Sequence, residues 1–322
     1  MYKRQGTPIS KTGGTASGPI PKMEMINSIG SKVMQGGSRR SAIYASLNWK
    51  HGDIHDFLKA KDWASMPVGS TGKTLWDIKQ EDFNYPAPLD MTNISVNYDT
   101  EWLLNYYKTG EVGEVFMQNV KQAMQTAEPG FSFNFFDKEN ETLRNACTEV
   151  TSDSDSDVCN LGSVNMGRIT DIDEMSNVVA LATKFLICGT LKAKLPYDKV
   201  YKVREKNRRL GLGLMGMHEW LIQRGSKYEV TPELHSWLQV YRGVSDKVSR
   251  ETADAFSISR PVANRAIAPT GSIGILAGTS TGVEPIFAVA YKRRYLKGTN
   301  RWVYKYVVDS AAQTWIDRYG AQ

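Results

Sequence analysis

Asn145-Ala146-Cys147-Thr148-Glu149 decides the interpretation of this chain, and Val158-Cys159-Asn160-Leu161-Gly162 follows it closely. In an extended segment alternate side chains point to one side, so the amide of Asn145, the thiol of Cys147 and the carboxylate of Glu149 would share a face. The polar stretch between the two motifs could fold back and bring the two sulfur atoms together. For the pentapeptide alone a buried strand cysteine is the simpler interpretation, because a thiol behaves as a small hydrophobic group.

A third motif, Ala268-Pro269-Thr270-Gly271-Ser272-Ile273-Gly274, has the composition of a phosphate-binding loop. Its backbone N–H groups and the hydroxyls of Thr270 and Ser272 can donate hydrogen bonds to an anion, and Gly271 lets a ligand approach the backbone closely. A Pro-Thr-Gly-Ser turn is common in loops, so this motif gains weight only from its neighbours. A short strand over Ala266–Ala268 is expected to lead into it.

Together, and in this order, the three motifs resemble the catalytic core of the large chain of ribonucleotide reductase. That enzyme replaces the 2′-hydroxyl of a ribonucleotide with hydrogen. The run Ala277-Gly278-Thr279-Ser280-Thr281-Gly282-Val283-Glu284-Pro285 resembles the same family. The resemblance covers the chain from about Gly6 to its end.

The resemblance implies a role for each motif residue. Cys147 matches the cysteine whose thiyl radical removes the 3′-hydrogen of the ribose. Glu149 matches the carboxylate that takes the 3′-hydroxyl proton, and Asn145 matches the amide that fixes the hydroxyls. Cys159 matches one of the two cysteines that reduce the substrate and end as a disulfide; its family partner lies upstream of residues 6–21. The resemblance also implies two sets of substrate-binding residues. The first set is Asn145, Ala146, Cys147, Thr148 and Glu149. The second set, which binds the diphosphate or triphosphate, is Pro269, Thr270, Gly271, Ser272 and Ile273.

The implied fold is a ten-stranded α/β barrel with an internal loop that carries Cys147, incomplete at both ends. Alternating helical and strand patterns independently indicate an α/β sheet or barrel. Tyr2-Lys3-Arg4-Gln5 is the translation of a common sequencing-adapter end, so residues 1–5 are interpreted as an artefact and residues 6–322 as a partial catalytic barrel domain.

Within the family, Thr12–Pro19 and Gln35–Arg40 are more similar to the class that uses adenosylcobalamin, which is therefore the expected cofactor. The alternative is the class with a separate radical-generating subunit, whose relay tyrosines would lie beyond Gln322. The implied partners are a ribonucleoside di- or triphosphate and a thioredoxin-like or glutaredoxin-like dithiol, and a homodimer is compatible with the family. A non-catalytic nucleotide-binding barrel is a further alternative, disfavoured by the retention of all four catalytic-type residues.

Composition restricts the other classes. Three cysteines are too few for a disulfide scaffold and indicate a reducing compartment, the cytoplasm. No apolar run in the sequence suggests a membrane span, so no membrane partner is expected. The net charge of +6 is mild, and Arg39-Arg40 and Lys292-Arg293-Arg294 are too short to predict nucleic-acid binding.

Four weaker patterns are interpreted without a site. Gly211–Gly216 spells GxGxxG, but a charged segment precedes it where a dinucleotide fold has a strand. It is therefore expected to be a barrel strand whose glycines let neighbouring backbone or substrate approach closely.

Asp153–Asp157 lacks the glycine and glutamate of a calcium loop and is predicted to be a solvated linker. His51 and His55 lack further ligands, so no metal site is predicted. Cys188 lies in an apolar helical pattern with Leu181, Phe185, Leu186 and Leu191 and is predicted to be a core residue.

Overall fold

The computed structural model describes residues 4–9, 13–33, 41–298 and 301–320. It divides into two units, Met1–Asp153 and Ser154–Gln322. Thr12 and Gln35–Arg40, part of the basis for the predicted cobalamin class, lie outside the described residues. Gln5 is described, and its backbone N–H donates to the Asp53 carboxylate at 3.0 Å. The interpretation of residues 1–5 as an artefact stays a prediction.

The first unit is built around a parallel three-stranded sheet. Its elements in chain order are α1 (Ile20–Lys32), β1 (Ile43–Asn48), α2 (Ile54–Lys59), α3 (Leu75–Glu81), β2 (Thr92–Tyr98), α4 (Thr100–Thr109), α5 (Glu114–Thr126), β3 (Gly130–Phe133), β4 (Leu143–Arg144) and β5 (Thr151–Ser152). The sheet order is β1-β2-β3, with Ile43 opposite Thr92 and Ser95 opposite Gly130. The central strand β2 is the most buried, as parallel sheets covered by helices require.

Helix capping fixes where the chain leaves the central strand. The Asp99 carboxylate accepts a hydrogen bond from Trp102 N at 3.1 Å and so begins α4 directly after β2. Gly110, in the left-handed conformation, ends the same helix. The core of the unit gathers around Tyr98 and Trp102, whose rings lie 5.0 Å apart. The end of β2 is thereby anchored to a packed aromatic core.

The second unit contains β6 (Asn160–Asn165), α6 (Ile172–Lys192), α7 (Asp198–Asn207), β7 (Leu210–Met215), α8 (Met217–Gln223), α9 (Pro232–Ala255), α10 (Gly271–Ala277), β8 (Ala290–Lys297), β9 (Arg301–Val308) and α11 (Ser310–Tyr319). Strands β6 and β7 are parallel, with Asn160 opposite Leu210, and β8 and β9 form an antiparallel hairpin. Every residue of β7 is buried. The core of this unit packs β6 and β7 against α6, α8 and α9.

Residues 263–266 run beside β7 as a third, irregular strand. Leu210 N donates to Ala263 O at 2.9 Å, Leu212 N to Asn264 O at 3.1 Å, and Ala266 N to Leu212 O at 3.2 Å. The predicted strand over Ala266–Ala268 is thus displaced, since the bridge to β7 lies at Arg265. This segment delivers the chain to the Pro269 loop.

Helix α6 corrects the prediction for Cys188, which is exposed. Its buried face consists of Met175, Val179, Thr183, Leu186, Ile187 and Thr190. Leu181 and Phe185, which the sequence pattern placed in the core with Cys188, are 70% and 75% exposed. Cys188 follows them at i+7 and i+3, so it belongs to the same outward face.

The same helix bears on the expectation that no apolar run in the sequence is long enough to suggest a membrane span. Among the described residues, α6 alone is long and apolar enough to cross a membrane by length and composition, and 33% of its apolar window is buried. Its buried face belongs to the core of the second unit, which is the ordinary situation of a core helix.

The α/β class is as expected, but a closed barrel is not seen in the part of the chain that the structure describes. The described strands form one three-stranded and three two-stranded sheets. Closure would require each strand to have two neighbours, and these sheets keep open edges.

Candidate active site

Cys147 lies in the loop of residues 145–150, which connects β4 to β5. Thr148 N donates to Asn145 O at 3.0 Å, and Val150 N donates to Asn145 Oδ1 at 3.1 Å. Thr148 has a positive φ of 67°, which reverses the chain. The motif is therefore a tight turn, so the condition of an extended segment, under which the three side chains would share one face, is not met.

Arg144 fixes this loop to the sheet of the first unit. Its guanidinium donates from Nε to Ser132 Oγ at 2.8 Å, from Nη2 to Asn134 Oδ1 at 3.2 Å and from Nη1 to Thr148 O at 3.3 Å. Ser132 and Asn134 are both buried. The planar fork of arginine suits three acceptors in fixed directions, which a lysine could not match.

A second contact holds the other side of the turn, where Asn93 Nδ2 donates to Ala146 O at 2.6 Å. Sequence reasoning did not identify Arg144 or Asn93 as supporting residues. A signal was present in Phe131-Ser132-Phe133-Asn134-Phe135, where polar residues alternate with aromatic ones, and in Arg144, which immediately precedes the motif. Polar residues on a buried strand face need partners, and here Arg144 supplies them.

The electrostatics of the loop keep the Cys147 thiol protonated near neutral pH. Its side chain is exposed on the unit, yet atoms around the sulfur remove part of its hydration, which raises the pKa of the thiol. The Glu149 carboxylate raises the pKa of Cys147 further. Among the described residues Glu149 Oε2 is enclosed without a hydrogen-bond partner, so the carboxylate keeps an unused acceptor. A thiol with its hydrogen and a carboxylate oxygen without a hydrogen-bond donor among the described residues thus lie in one turn.

Cys159 lies immediately before β6 in the second unit, with its Sγ 3.8 Å from Asn160 O. A Cβ on Gly211 of β7 would lie 2.9 Å from this sulfur and 2.5 Å from Leu161 Cδ2. Gly211 therefore permits the thiol to lie against the neighbouring strand, as predicted for the glycines of Gly211–Gly216. All three cysteines are described, and none forms a disulfide.

The segment before Cys159 is anchored at its end, which corrects the prediction of a wholly solvated linker. The Asp157 carboxylate is buried and accepts hydrogen bonds from Arg209 Nε at 2.9 Å and Asn207 Nδ2 at 3.0 Å. Asp155 remains exposed and pairs with Lys199. The buried pair ties the residues before Cys159 to the start of β7.

The predicted phosphate loop lies where the chain turns from residues 263–268 into α10. Thr270 is buried with a φ of 52°; its Oγ1 accepts from Gly282 N at 2.8 Å, and its carbonyl accepts from Gly274 N at 2.7 Å. Its hydroxyl can still donate one hydrogen bond. Gly271, Ser272 and Ile273 are exposed, and a Cβ on Gly271 would meet no atom within 4 Å. The first N–H groups of α10 have no partner within the helix, as at the start of any α-helix.

The structure thus groups the predicted residues by unit. Asn145, Cys147 and Glu149 share one loop of the first unit, while Cys159 and Pro269–Ile273 belong to segments adjoining β7 in the second. Among the described residues no group of three or more His, Cys, Asp or Glu side chains could hold a metal ion. The exposed Cys147 thiol, which keeps its hydrogen, fits a radical-generating cofactor.

Comparison with known proteins gives the same family as the motifs. The family model described as "Ribonucleotide reductase, barrel domain" matches residues 2–237 and 262–319. The vitamin B12-dependent ribonucleoside-diphosphate reductase of Thermoplasma acidophilum is 29% identical over 329 aligned residues, which cover 90% of this chain and 41% of that protein. The enzyme of the same name from Mycobacterium tuberculosis is 28% identical, covering 89% of this chain and 45% of its own length. The chain spans less than half of the length of these relatives.

Proposed function

The chain belongs to the ribonucleotide reductase barrel-domain family, and we propose that it carries the catalytic residues of an enzyme that reduces ribonucleotides to 2′-deoxyribonucleotides. The observation that carries the proposal is the loop of residues 145–150. It presents a protonated Cys147 thiol beside a Glu149 oxygen with an unused acceptor. A retained S–H hydrogen and an adjacent general base are what hydrogen-atom exchange at a hydroxyl-bearing carbon requires.

In the proposed reaction, Cys147 as its thiyl radical takes the 3′-hydrogen of the ribose while Glu149 accepts the 3′-hydroxyl proton. The 2′-hydroxyl leaves as water. Cys159 and a partner thiol supply two electrons and protons and form a disulfide, after which Cys147 returns the hydrogen to the 3′ position. The balance is ribonucleotide plus dithiol giving deoxyribonucleotide, disulfide and water. Cys147 ends as it began, and an external dithiol, thioredoxin-like or glutaredoxin-like, resets Cys159 for the next cycle.

Substrate binding is divided between two sets of residues. Asn145, Ala146 and Thr148 lie with Cys147 and Glu149 in the loop proposed to meet the ribose. Pro269, Thr270, Gly271, Ser272 and Ile273 are proposed to receive the diphosphate or triphosphate. Support for the second assignment comes from the exposed start of α10 and the open space over Gly271. Thr270 contributes by ordering the loop, since its buried Oγ1 accepts from Gly282 N.

For the cofactor we propose adenosylcobalamin. The relatives from Thermoplasma acidophilum and Mycobacterium tuberculosis are named as vitamin B12-dependent enzymes. When bound, the cofactor supplies the organic radical that removes the hydrogen atom of the Cys147 thiol. The protein contributes an exposed thiol that keeps its hydrogen at neutral pH, because burial of the sulfur and the Glu149 charge both raise its pKa.

For the fold we propose that the described strands are part of a ten-stranded barrel whose inner loop is residues 145–150. The open edges of the sheets support this, as does the share of the relatives' length that the chain spans. Residues outside 1–322 would then supply the remaining strands and the partner of Cys159.

The proposal is tested by assaying the purified full-length protein with adenosylcobalamin, a dithiol and the four ribonucleoside diphosphates and triphosphates. Deoxyribonucleotide formation is expected, with none from a Cys147→Ser variant. Activity that requires a metal-containing partner protein and ignores cobalamin would reverse the cofactor assignment. Nucleotide binding without turnover, under both conditions, would indicate a non-catalytic barrel and refute the proposed reaction.

A further inference from the structure

Glu219, in α8, is a buried carboxylic acid that the proposed reaction does not use. It is 2% exposed, and it lies one turn after Gly216, where β7 ends. Its Oε2 is hydrogen-bonded to Thr279 Oγ1. A Cβ on Gly167 would lie 2.7 Å from Glu219 Oε2, so the carboxyl fills the space that a side chain at 167 would need. A group enclosed in this way must find its partners inside the protein.

Counting hydrogens shows which form of Glu219 fits. Thr279 Oγ1 lies 3.2 Å from Asn165 Oδ1 and also contacts Glu219 Oε2. A hydroxyl carries a single hydrogen, so it cannot donate to both oxygens. If Thr279 donates to the Asn165 amide oxygen, it must accept from Glu219, and Glu219 can donate only as the neutral acid.

The surroundings favour the neutral acid. Burial is the largest effect and raises the pKa of Glu219, and the charge of Asp309 raises it too. The charge of Arg168 lowers it, as does the Thr279 hydrogen bond when Thr279 is taken as the donor. Even with Thr279 as the donor the net direction of the pKa shift is upward. Arg168 is itself exposed, and its guanidinium donates to Gly278 O. If the Asn165 side chain were rotated so that its nitrogen faced Thr279, Asn165 would donate to the hydroxyl and Thr279 could donate to Glu219. That arrangement would leave an ionised carboxylate among the buried side chains of α8.

The partners of Glu219 lead directly to the Pro269 loop. Ser280 O accepts from Gly216 N at 2.8 Å, and Ser280 Oγ accepts from Glu219 N at 3.4 Å. At the other end of the same short segment, Gly282 N donates to Thr270 Oγ1 at 2.8 Å. Residues 279–282 are therefore held on one side by the start of α8 and on the other by Thr270.

We propose that Glu219 is a positioning residue which, as a neutral acid, donates to Thr279 and so holds residues 279–282 in the place that sets the conformation of the Thr270–Ile273 loop for a nucleotide's phosphates. This rests on the proposed function, because it assigns the anion at that loop. Ionisation would remove the donor and place a negative charge behind an anion-binding loop. Nucleotide affinity therefore falls as pH rises through the pKa of Glu219.

The pH dependence of stability has the same sign. Because the pKa of Glu219 is raised in the folded protein, the folded state binds this proton more tightly than the unfolded chain. The free energy of unfolding of the wild type therefore decreases, relative to Glu219→Gln, as pH rises from the ordinary glutamate range through the raised value. Glutamine keeps an N–H donor for Thr279 and cannot ionise, so it removes this dependence.

The experiment compares Glu219→Gln and Glu219→Ala with the wild type and with Glu229→Gln, which changes an exposed glutamate. Infrared spectra recorded over a pH series should show a protonated carboxyl band that persists above the ordinary glutamate pKa range, disappears in Glu219→Gln and remains in Glu229→Gln. Hydrogen–deuterium exchange in peptides covering residues 270–282 should be faster in Glu219→Ala and unchanged in Glu219→Gln. An absent band, or one that survives Glu219→Gln, would overturn the neutral acid. Unchanged exchange in Glu219→Ala would overturn the positioning role.

Dissociation constants for the four ribonucleoside diphosphates complete the test. Glu219→Ala should bind about tenfold more weakly, which corresponds to about 1.4 kcal/mol, within the range for a lost buried hydrogen bond. Glu219→Gln should bind like the wild type and lose its pH dependence. Equal affinity of Glu219→Ala and wild type would refute the link to the phosphate loop. If the wild type binds no nucleotide, the proposed function fails, while the band and the exchange rates still decide the protonation and positioning of Glu219.

Discussion

Gly213, at the centre of β7, offers a sharp test of how the second unit is packed. The strand lies between β6 on one side and residues 263–266 on the other. A Cβ on Gly213 would lie 2.5 Å from Ala266 O, 3.4 Å from Ser163 Oγ and 3.5 Å from Ala268 N. Because comfortable non-bonded separations are about 3.5 Å, Gly213→Ala requires the Ala266 backbone to retreat by roughly 1 Å.

The expected cost follows from two opposing terms. Overpacking of a well-packed site costs about 1–3 kcal/mol. Removing a strand glycine gains about 0.5–1 kcal/mol through the lower entropy of the unfolded chain. Because the shift of about 1 Å places the site near the upper end of the overpacking range, about 3 kcal/mol, the net loss in the free energy of unfolding is about 2–2.5 kcal/mol. The displaced Ala266 also moves the backbone that enters the Pro269 loop. Nucleotide affinity should fall together with stability.

The control is Gly243→Ala. Gly243 lies inside α9, and a Cβ there would meet no atom within 4 Å. The same substitution should therefore stabilise the protein by about 0.5–1 kcal/mol. Urea unfolding midpoints, read by circular dichroism, should move in opposite directions for the two variants. A Gly213→Ala protein as stable as wild type would show that residues 263–266 do not press against β7.

The remaining predictions concern the loop of residues 145–150 and Cys159. Cys147→Ser should abolish both deoxyribonucleotide formation and isotope exchange at the ribose 3′ position, whereas Cys159→Ser should stop multiple turnovers and leave exchange; normal turnover by the first variant would refute its role. Glu149→Gln should lower kcat by about 10²–10⁴-fold with little change in KM. It should also speed the alkylation of Cys147 at neutral pH, because the Glu149 charge is one cause of the raised pKa of the thiol. A change confined to KM would assign Glu149 to substrate binding. Arg144→Lys keeps the positive charge but cannot make all three hydrogen bonds of the guanidinium, so kcat should fall while nucleotide affinity is kept. An unchanged kcat would show that these hydrogen bonds are not needed for activity.

The sequence predicted the second unit best where a single physical requirement dominates. Residues 210–215 of the apolar, glycine-containing run form a fully buried strand, and a Cβ on either of its glycines, Gly211 or Gly213, would lie 2.5 Å from the nearest atom. The rejection of a dinucleotide fingerprint agrees with one feature of the structure, since Gly211 and Gly213 lie inside β7 and not in a turn between a strand and a helix. Periodicity and context sufficed because the strand is buried on every side.

Prediction failed on α6 because two threonines are buried in its core face. Thr183 Oγ1 donates to Val179 O at 2.7 Å and Thr190 Oγ1 donates to Ile187 O at 2.8 Å. By bonding to the preceding turn of their own helix, these hydroxyls can be buried without an external partner. When only apolar residues are counted, the buried face of α6 is predicted on the side of Leu181, Phe185 and Cys188. Including threonine as a residue that can satisfy itself within a helix gives the observed face.

The supporting residues escaped prediction for a related reason. Arg144 and Glu219 are ionisable, and ionisable residues in a sequence are first interpreted as solvent-exposed. Each instead meets polar groups that other segments bury: Ser132 for the arginine, Thr279 for the glutamate. The motifs name the groups proposed to do the chemistry, but the turns that present them are fixed by these pairings, which only the three-dimensional arrangement reveals. A polar residue on an otherwise apolar strand or at a strand end, next to a motif, is thus the place to look for what holds that motif in position.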